Sequence, residues 1–410
     1  MSTCSKVIPY LVLTLMLTLI LSQSSPISMI KIEKTRAEEP RFNVSSYRTR
    51  NSVSSVSMSA DGKRVAVAGS RFVALLNENA SALWTFETND LVNSVSLSED
   101  ASYVAAGTEG SRIYLFDGRD GVILWTFRTD GPVLSVKISG DGRFVAAGIF
   151  EGNVYLLERE QGKLLWSYRA GNITAILSVA ISHGGSMVAA GSSNNKVVLL
   201  SSKSPNPIWT YETRDYVRSI AISFDGRFLV AGTNDSYVHF FSSNEPRPLW
   251  SFRTGGPVRS VSISSSGDQV ACGSYDGKIY AFEKSEGVPK WAYDTGGMVL
   301  SVFVSKDGRL LLGGGASMRA YLLDFHDGSL KFVYESDFLI NSTSMSEDGS
   351  VNVIGGDSAT IVLQMIRPEE QPPTDWSNPI YAGIIAAAAS ATLVILLLVR
   401  RGLKEPSIVD

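Results

Sequence analysis

Cysteine and histidine are nearly missing from this chain of 410 residues, which has two of the first and three of the second. Cys4 precedes an N-terminal apolar stretch, and Cys272 stands in "VACGS", where sister segments read "VAAGT" and "VAAGI". Neither a disulfide framework nor a Cys-x-x-Cys metal spacing is available, and Cys272 reads as a small buried strand residue. His183, His239 and His326 fall at non-equivalent places without a second His or Cys close by, so no metal site is expected. Charge of one sign is also scarce. Lys and Arg number 37 against 40 Asp and Glu, a net charge of -3, and the clustered cations that nucleic-acid phosphates demand are absent.

Present instead is a metre. Trp84, Trp125, Trp166, Trp209, Trp250 and Trp291 are spaced by 41, 41, 43, 41 and 41 residues, and a fixed period of about 40 marks one repeat array rather than several unrelated domains. Each unit, such as "VLSVKISGDGRFVAAGIFEGNVYLLEREQGKLLWSYRA" from Val133, contains four short β-rich runs separated by turn residues. The first run alternates apolar and small polar residues, the second is built of small residues, the third is β-branched and aromatic, and the fourth carries the Trp. Asp61-Gly62, Asp141-Gly142, Asp225-Gly226, Asp307-Gly308 and Asp348-Gly349 mark the first reversal, where a tight turn wants a positive φ. Gly110, Gly152 and Gly277 are assigned the same task at the second.

Ser55, Ser94, Ser135, Ser178, Ser219, Ser260, Ser301 and Ser342 hold one position in the unit, so there are eight units. The eighth stops after three runs, at "TIVLQMI". "VSSYRT", Val44 to Thr49, aligns with "LWSYRA" and supplies the missing strand from the front. The expected fold is all-β, an eight-bladed propeller of four-stranded antiparallel blades over residues 42–366, closed by an N-terminal strand so that no inner edge is left loose. The six tryptophans are expected between blades, with Phe332 in their place in the seventh unit and Ser45 in the closing strand. That makes the seam the weakest contact.

Both ends read as membrane signals. "VIPYLVLTLMLTLILS" after Lys6, followed by "SQSSPIS", suits a secretory signal over residues 1–24, with an uncleaved anchor through Ile30 as the alternative. Residues 25–41 form a linker. "IYAGIIAAAASATLVILLLV", residues 380–399, carries no charge and is long enough for roughly 30 Å of hydrocarbon as a helix. Trp376 and Tyr381 suit the outer headgroups, while Arg400, Arg401 and Lys404 place the tail, 400–410, in the cytoplasm. Prolines 368, 372, 373 and 379 make residues 367–379 a stalk. The expectation is a single-pass protein of the cell membrane with its propeller outside, monomeric in that ectodomain. Asn43, Asn79, Asn172, Asn234 and Asn341 head N-x-S/T sequons and are candidate glycan sites.

The unit ending "GNVYLLEREQGKLLWSYRAG" resembles the repeat of the pyrroloquinoline-quinone-dehydrogenase-like propellers. Their Gly-x-x-x-x-Trp docking segment is matched, less one residue, by Gly121 to Trp125 and Gly162 to Trp166. The half-unit "SxDGRFVAAG" resembles WD-repeat propellers, without their Gly-His and Trp-Asp pairs. The quinone resemblance implies a Ca²⁺ site, a catalytic Asp and commonly adjacent cysteines on blades with long insertions. This chain has no adjacent cysteines and no insertions, so neither enzyme activity nor a cofactor is expected.

Function on a propeller rim should show where equivalent positions diverge. Before the index Ser stand Ser54, Asn93, Leu134, Leu177, Arg218, Arg259, Leu300 and Asn341. Arg218 and Arg259 are neighbours, and with Arg214, Asp215, Tyr216, Asn234, Asp235, Tyr275 and Asp276 they make a polar and aromatic patch able to bind an acidic or hydrogen-bonding group. The competing reading is two solvated arginines paired with Asp215 and Asp235. The sequence therefore points to a non-catalytic scaffold binding a protein, peptide or glycan through its rim. The alternative is a small molecule or cofactor held in the central channel.

Overall fold

The computed structural model describes residues 41–49, 52–172 and 174–366. The leader, most of the linker, the stalk, the 380–399 segment and the tail lie outside these. Among the described residues no helix is long and apolar enough to cross a membrane.

All the described secondary structure is strand, arranged as eight four-stranded antiparallel sheets. Blades 1 to 7 take consecutive strands, over residues 53–87, 92–128, 133–169, 176–212, 217–253, 258–294 and 299–335. Blade 8 takes Ile340–Met345, Val351–Gly356 and Ala359–Ile366, and its outermost strand is Arg41–Arg48 from the front of the chain. Arg41 opposes Ile366 and Arg48 opposes Ala359, with Tyr47 beside Thr360 and Ser45 beside Val362. The ring closes as the repeat arithmetic requires.

The innermost strand of each blade is an edge strand, and half its backbone N–H groups point away from the sheet with no strand to receive them. The index serines answer that need. Ser55, Ser94, Ser135, Ser178, Ser219, Ser260 and Ser301 each accept, through Oγ, the N–H of Val95, Val136, Val179, Ile220, Val261, Val302 and Thr343 on the next blade, at 3.0–3.2 Å. Ser342 accepts that of Val56 at 3.1 Å and completes the circle across the seam. A second tier uses Ser57, Ser96, Ser262 and Ser344. Small second-strand residues let the sheets approach. A Cβ on Gly148, for example, would lie 2.5 Å from Ile176 of the following blade.

Towards the perimeter the tryptophans take over. Each of the six donates its indole N–H to a carbonyl in the third-to-fourth-strand turn of the next blade, at 2.5–3.1 Å. At four of these contacts a positive-φ glycine lies against the ring. Added Cβ atoms on Gly121, Gly162, Gly287 and Gly328 would stand 2.6–2.9 Å from Trp84, Trp125, Trp250 and Trp291. In blade 1 the same place holds Ala80, at φ +58° and buried, and the repeat puts Ser45 of the closing strand at the Trp position of the preceding blade. The Ala80 methyl group packs in an apolar cluster with Val351, Val353 and Val362 of blade 8. Phe332, the Trp substitute of blade 7, packs against Phe42 of the closing strand, ring centroids 4.1 Å apart and tilted by 30°. That contact gives the seam an aromatic pair the repeat alignment did not foresee.

The Asp-Gly turns behave as expected, with Gly62, Gly142, Gly226, Gly308 and Gly349 at φ +70° to +76°. Their aspartates bind back to the preceding Ser, as Asp61 does to Ser59 at 2.7 Å. Gly152 and Gly277 also have positive φ, but Gly110 does not. There Ser111 takes φ +60°, and Gly110 is required by space, since a Cβ would fall within 1.8 Å of the Asp90 carboxylate.

Gly162→Ala is expected to cost about 1–3 kcal/mol, through the forced shift of Trp125 and the alanine's positive φ. Ala80→Gly should stay within about 1 kcal/mol of wild type. Urea unfolding followed by tryptophan fluorescence compares the two.

Candidate binding rim and central channel

The loops that enter each blade meet the turns between second and third strands on one rim. Asn234 N–H donates to Tyr216 C=O and Tyr275 N–H to Pro257 C=O, both at 2.9 Å. Every residue of the proposed patch is therefore on the same face. Arg218 Nε donates to Asn234 Oδ1 at 2.8 Å, and Asn234 Nδ2 donates to Asp215 Oδ2 at 2.7 Å, so the link from Arg218 to Asp215 is relayed rather than direct. Asp215 also receives the Tyr216 N–H. Arg214 is exposed, and Tyr216 keeps 46 % of its surface. Arg259 is exposed at the mouth of the channel and makes no ion pair among the described residues. Asp276 belongs to the scaffold instead, accepting from Gly255 N–H and Tyr280 O–H at 2.7 Å and from Lys278 N–H at 2.9 Å. Tyr275 is half-buried in the same turn.

Of the sequon asparagines, Asn43, Asn79 and Asn172 are exposed. The amide nitrogens of Asn234 and Asn341 are committed to Asp215 and Asp357.

The inner strands surround a channel of about 490 Å³. Two residues beyond the index serines stand Ser57, Ser96, Lys137, Ala180, Ala221, Ser262, Phe303 and Ser344, so Lys137 is the one ion at this level. Its side chain stays in contact with water in the bore while protein encloses it on all sides. That loss of hydration holds its pKa below the usual lysine range.

The opposite mouth is bridged by side chains. A circle of backbone hydrogen bonds runs there through Ala60, Glu99, Gly140, His183, Phe224, Ser265, Lys306 and Glu347, with Asp141 and Asp307 donating at two of the steps. From it, Glu99 of blade 2 and Lys306 of blade 7 reach across the bore to form an ion pair. His183 Nδ1 lies 3.0 Å from the other Glu99 oxygen, out of line for a hydrogen bond, and its ring stacks on Phe224 at 4.0 Å. Gly140 makes room, because a Cβ there would meet His183 at 2.2 Å and Glu99 at 2.8 Å.

A second cavity, of about 240 Å³, opens between blades 4 and 5 beside the rim patch. Its walls include Tyr211, Arg214, Asp235, Tyr237, His239 and Ser251. His239 is 7 % exposed, with Nδ1 2.7 Å from Ser251 Oγ. Burial pulls its pKa down to about 4, against the opposing pull of Asp235.

Sequence reasoning weighed the histidines only as metal ligands, and no group of three metal-binding side chains occurs among the described residues. The readable signal was a different one: His239 stands where four other units carry Tyr114, Tyr155, Tyr280 and Tyr321. Cys272 is fully buried, which pushes its thiol well above the usual range, and it packs as a strand residue.

Eight Ser-linked blades with indoles docked on the neighbouring turn define a propeller of the quinoprotein type. Residues 70–232 and 234–369 match the family model described as outer membrane protein assembly factor BamB, and the chain belongs to this family of PQQ-like propellers. Compared with curated proteins, the sequence gives no match.

An unfolded His239 titrates near 6.5 and the folded one near 4, so the unfolded chain binds more protons between these values. Stability should then fall as pH drops through this window, by about 3 kcal/mol at its lower end. His239→Phe is expected to remove that part of the slope, as measured by urea midpoints from pH 4 to 7.

Proposed function

We propose that the chain is a non-catalytic interaction scaffold, displayed outside the cell membrane on its C-terminal helix, which binds a protein, peptide or glycan through the rim of blades 4 to 6. The observation that carries this reading is the Arg214, Arg218 and Arg259 sector. It holds three guanidinium groups on one face, one anchored by Asn234 and none paired with a carboxylate among the described residues, beside an exposed Tyr216. Pre-set arginines next to an exposed aromatic ring are what a hot spot for an acidic or hydrogen-bonding partner requires. Membership of a family whose model is described as an assembly factor supports a scaffold role. Non-catalysis, the membrane anchor and the outward orientation come from the sequence reading.

The test is partner binding by the full chain and by an Arg218→Ala/Arg259→Ala variant. A loss of roughly tenfold or more is expected from removing two charge-assisted contacts. Equal affinity of the two proteins sinks the rim as the binding face.

A second reading, a small anionic ligand in the channel, is favoured by Lys137 in the bore and Arg259 at its mouth. It requires saturable binding of a small carboxylate or phosphate compound to the full chain that Lys137→Met weakens by about tenfold.

A further inference from the structure

Blade 6 shows what the cavity in blade 5 is missing. There the Tyr280 hydroxyl donates to Asp276 Oδ2 at 2.7 Å, and the Gly255 N–H donates to the same oxygen. Blade 3 repeats the theme, with Tyr155 O–H on Asp130 at 2.6 Å. Forty-one residues before Tyr280, Asp276 and Gly255 stand His239, Asp235 and Arg214. Imidazole is shorter than phenol, and with His239 turned to Ser251 the outer end of the tyrosine's volume adds to the 240 Å³ cavity. Asp235 accepts the Thr233 hydroxyl on one oxygen and lacks the phenol that serves its counterpart. Two replacements in one blade, Tyr by His and Gly by Arg, thus open a space and add a guanidinium to its wall.

We infer that this cavity between blades 4 and 5 binds one sugar ring, such as the terminal residue of a glycan, with a ligand hydroxyl on Asp235 in place of the missing phenol. The walls fit that chemistry. Tyr237 lies parallel to His239, at 9° and 5.6 Å, and Tyr211 stands at 61° to it, 5.5 Å away. These are aromatic surfaces for the C–H face of a saturated ring, while Asp235, Glu212 and Arg214 offer acceptors and a fork of donors for its hydroxyls. The cavity is smaller than the ~300 Å³ at which sites for drug-sized ligands begin, which suits a single ring. A neutral imidazole, held by Ser251, leaves no second cation to favour an anion over a polyol. This inference rests on the rim reading in that Arg214 and Asp235 belong to both, and it specifies the partner as a glycan.

The experiment uses the purified full-length chain in a sugar-free detergent, titrated with a panel of hexoses and N-acetylhexosamines by saturation-transfer NMR and calorimetry. At least one sugar should bind the wild type. His239→Tyr, which rebuilds the blade 6 arrangement, should fold with an unchanged or higher melting temperature and lose that affinity by about tenfold to a hundredfold. Should that variant fail to fold, Asp235→Asn, nearly identical in shape, is expected to weaken binding by at least about tenfold. Arg218 and Arg259 are not among the cavity walls, so Arg218→Ala/Arg259→Ala should weaken only a larger partner that also reaches the rim and not a single sugar, and failure of the rim and failure of the cavity are told apart. Absence of binding by every sugar, equal binding by wild type and His239→Tyr, or selective binding of p-cresol or a simple amine in place of sugars overturns the inference.

Discussion

The ring of serine hydroxyls that each receive a backbone N–H from the next blade is the contact on which the rest of the structure depends. Without it the eight inner strands would present unsatisfied donors to the channel, and the blades would lose the polar contact that sets their spacing nearest the axis. A hydroxyl on one carbon suits the task. It is short enough to let inner strands touch, and its oxygen can accept from one neighbour while its proton seeks another. Ser55, for instance, also donates towards the Val95 carbonyl. The circle crosses the seam unbroken at Ser342 and Val56, so closure there is maintained at the axis as well as by the pairing of Arg41–Arg48 with Ala359–Ile366.

Further out, the blades are keyed by complementary size. Indole opposite glycine recurs at four interfaces, and in the units that meet at the seam both positions change, the Trp position to Ser45 and the glycine position to Ala80. Because an added Cβ at these positions would crowd the tryptophan, the glycines serve space as much as conformation. Such repetition leaves the scaffold uniform, and function must then arise where the pattern breaks. Three breaks fall inside or beside the channel and rim: Lys137 among serines, the Glu99 and Lys306 pair across the far mouth, and His239 among tyrosines.

Much of this was readable in one dimension. Blade number, strand order, the Asp-Gly turns and the exchanged strand follow from the 41-residue metre, because every repeat must bury its faces in the same way. The shared face of Arg218, Arg259, Asn234 and Asp235 was legible too, since it is set by their place in the unit. Its wiring was not. The competing reading pairs Arg218 and Arg259 with Asp215 and Asp235, whereas Arg218 binds Asn234 and Arg259 makes no ion pair among the described residues. Gly110 was assigned a turn conformation and is needed for clearance from Asp90.

What the sequence determined by itself is the part of the molecule that is local and repeated: period, patterning, turn chemistry, and the index serine as a fixed position. Only the tertiary structure decided what lies across the ring. Glu99 meets Lys306 from 207 residues away, and the cavity at His239 needs walls from two blades. Closing a circle sets residues from different blades face to face across an axis, a relation that depends on the curvature of the whole assembly and leaves no trace in the spacing along the chain.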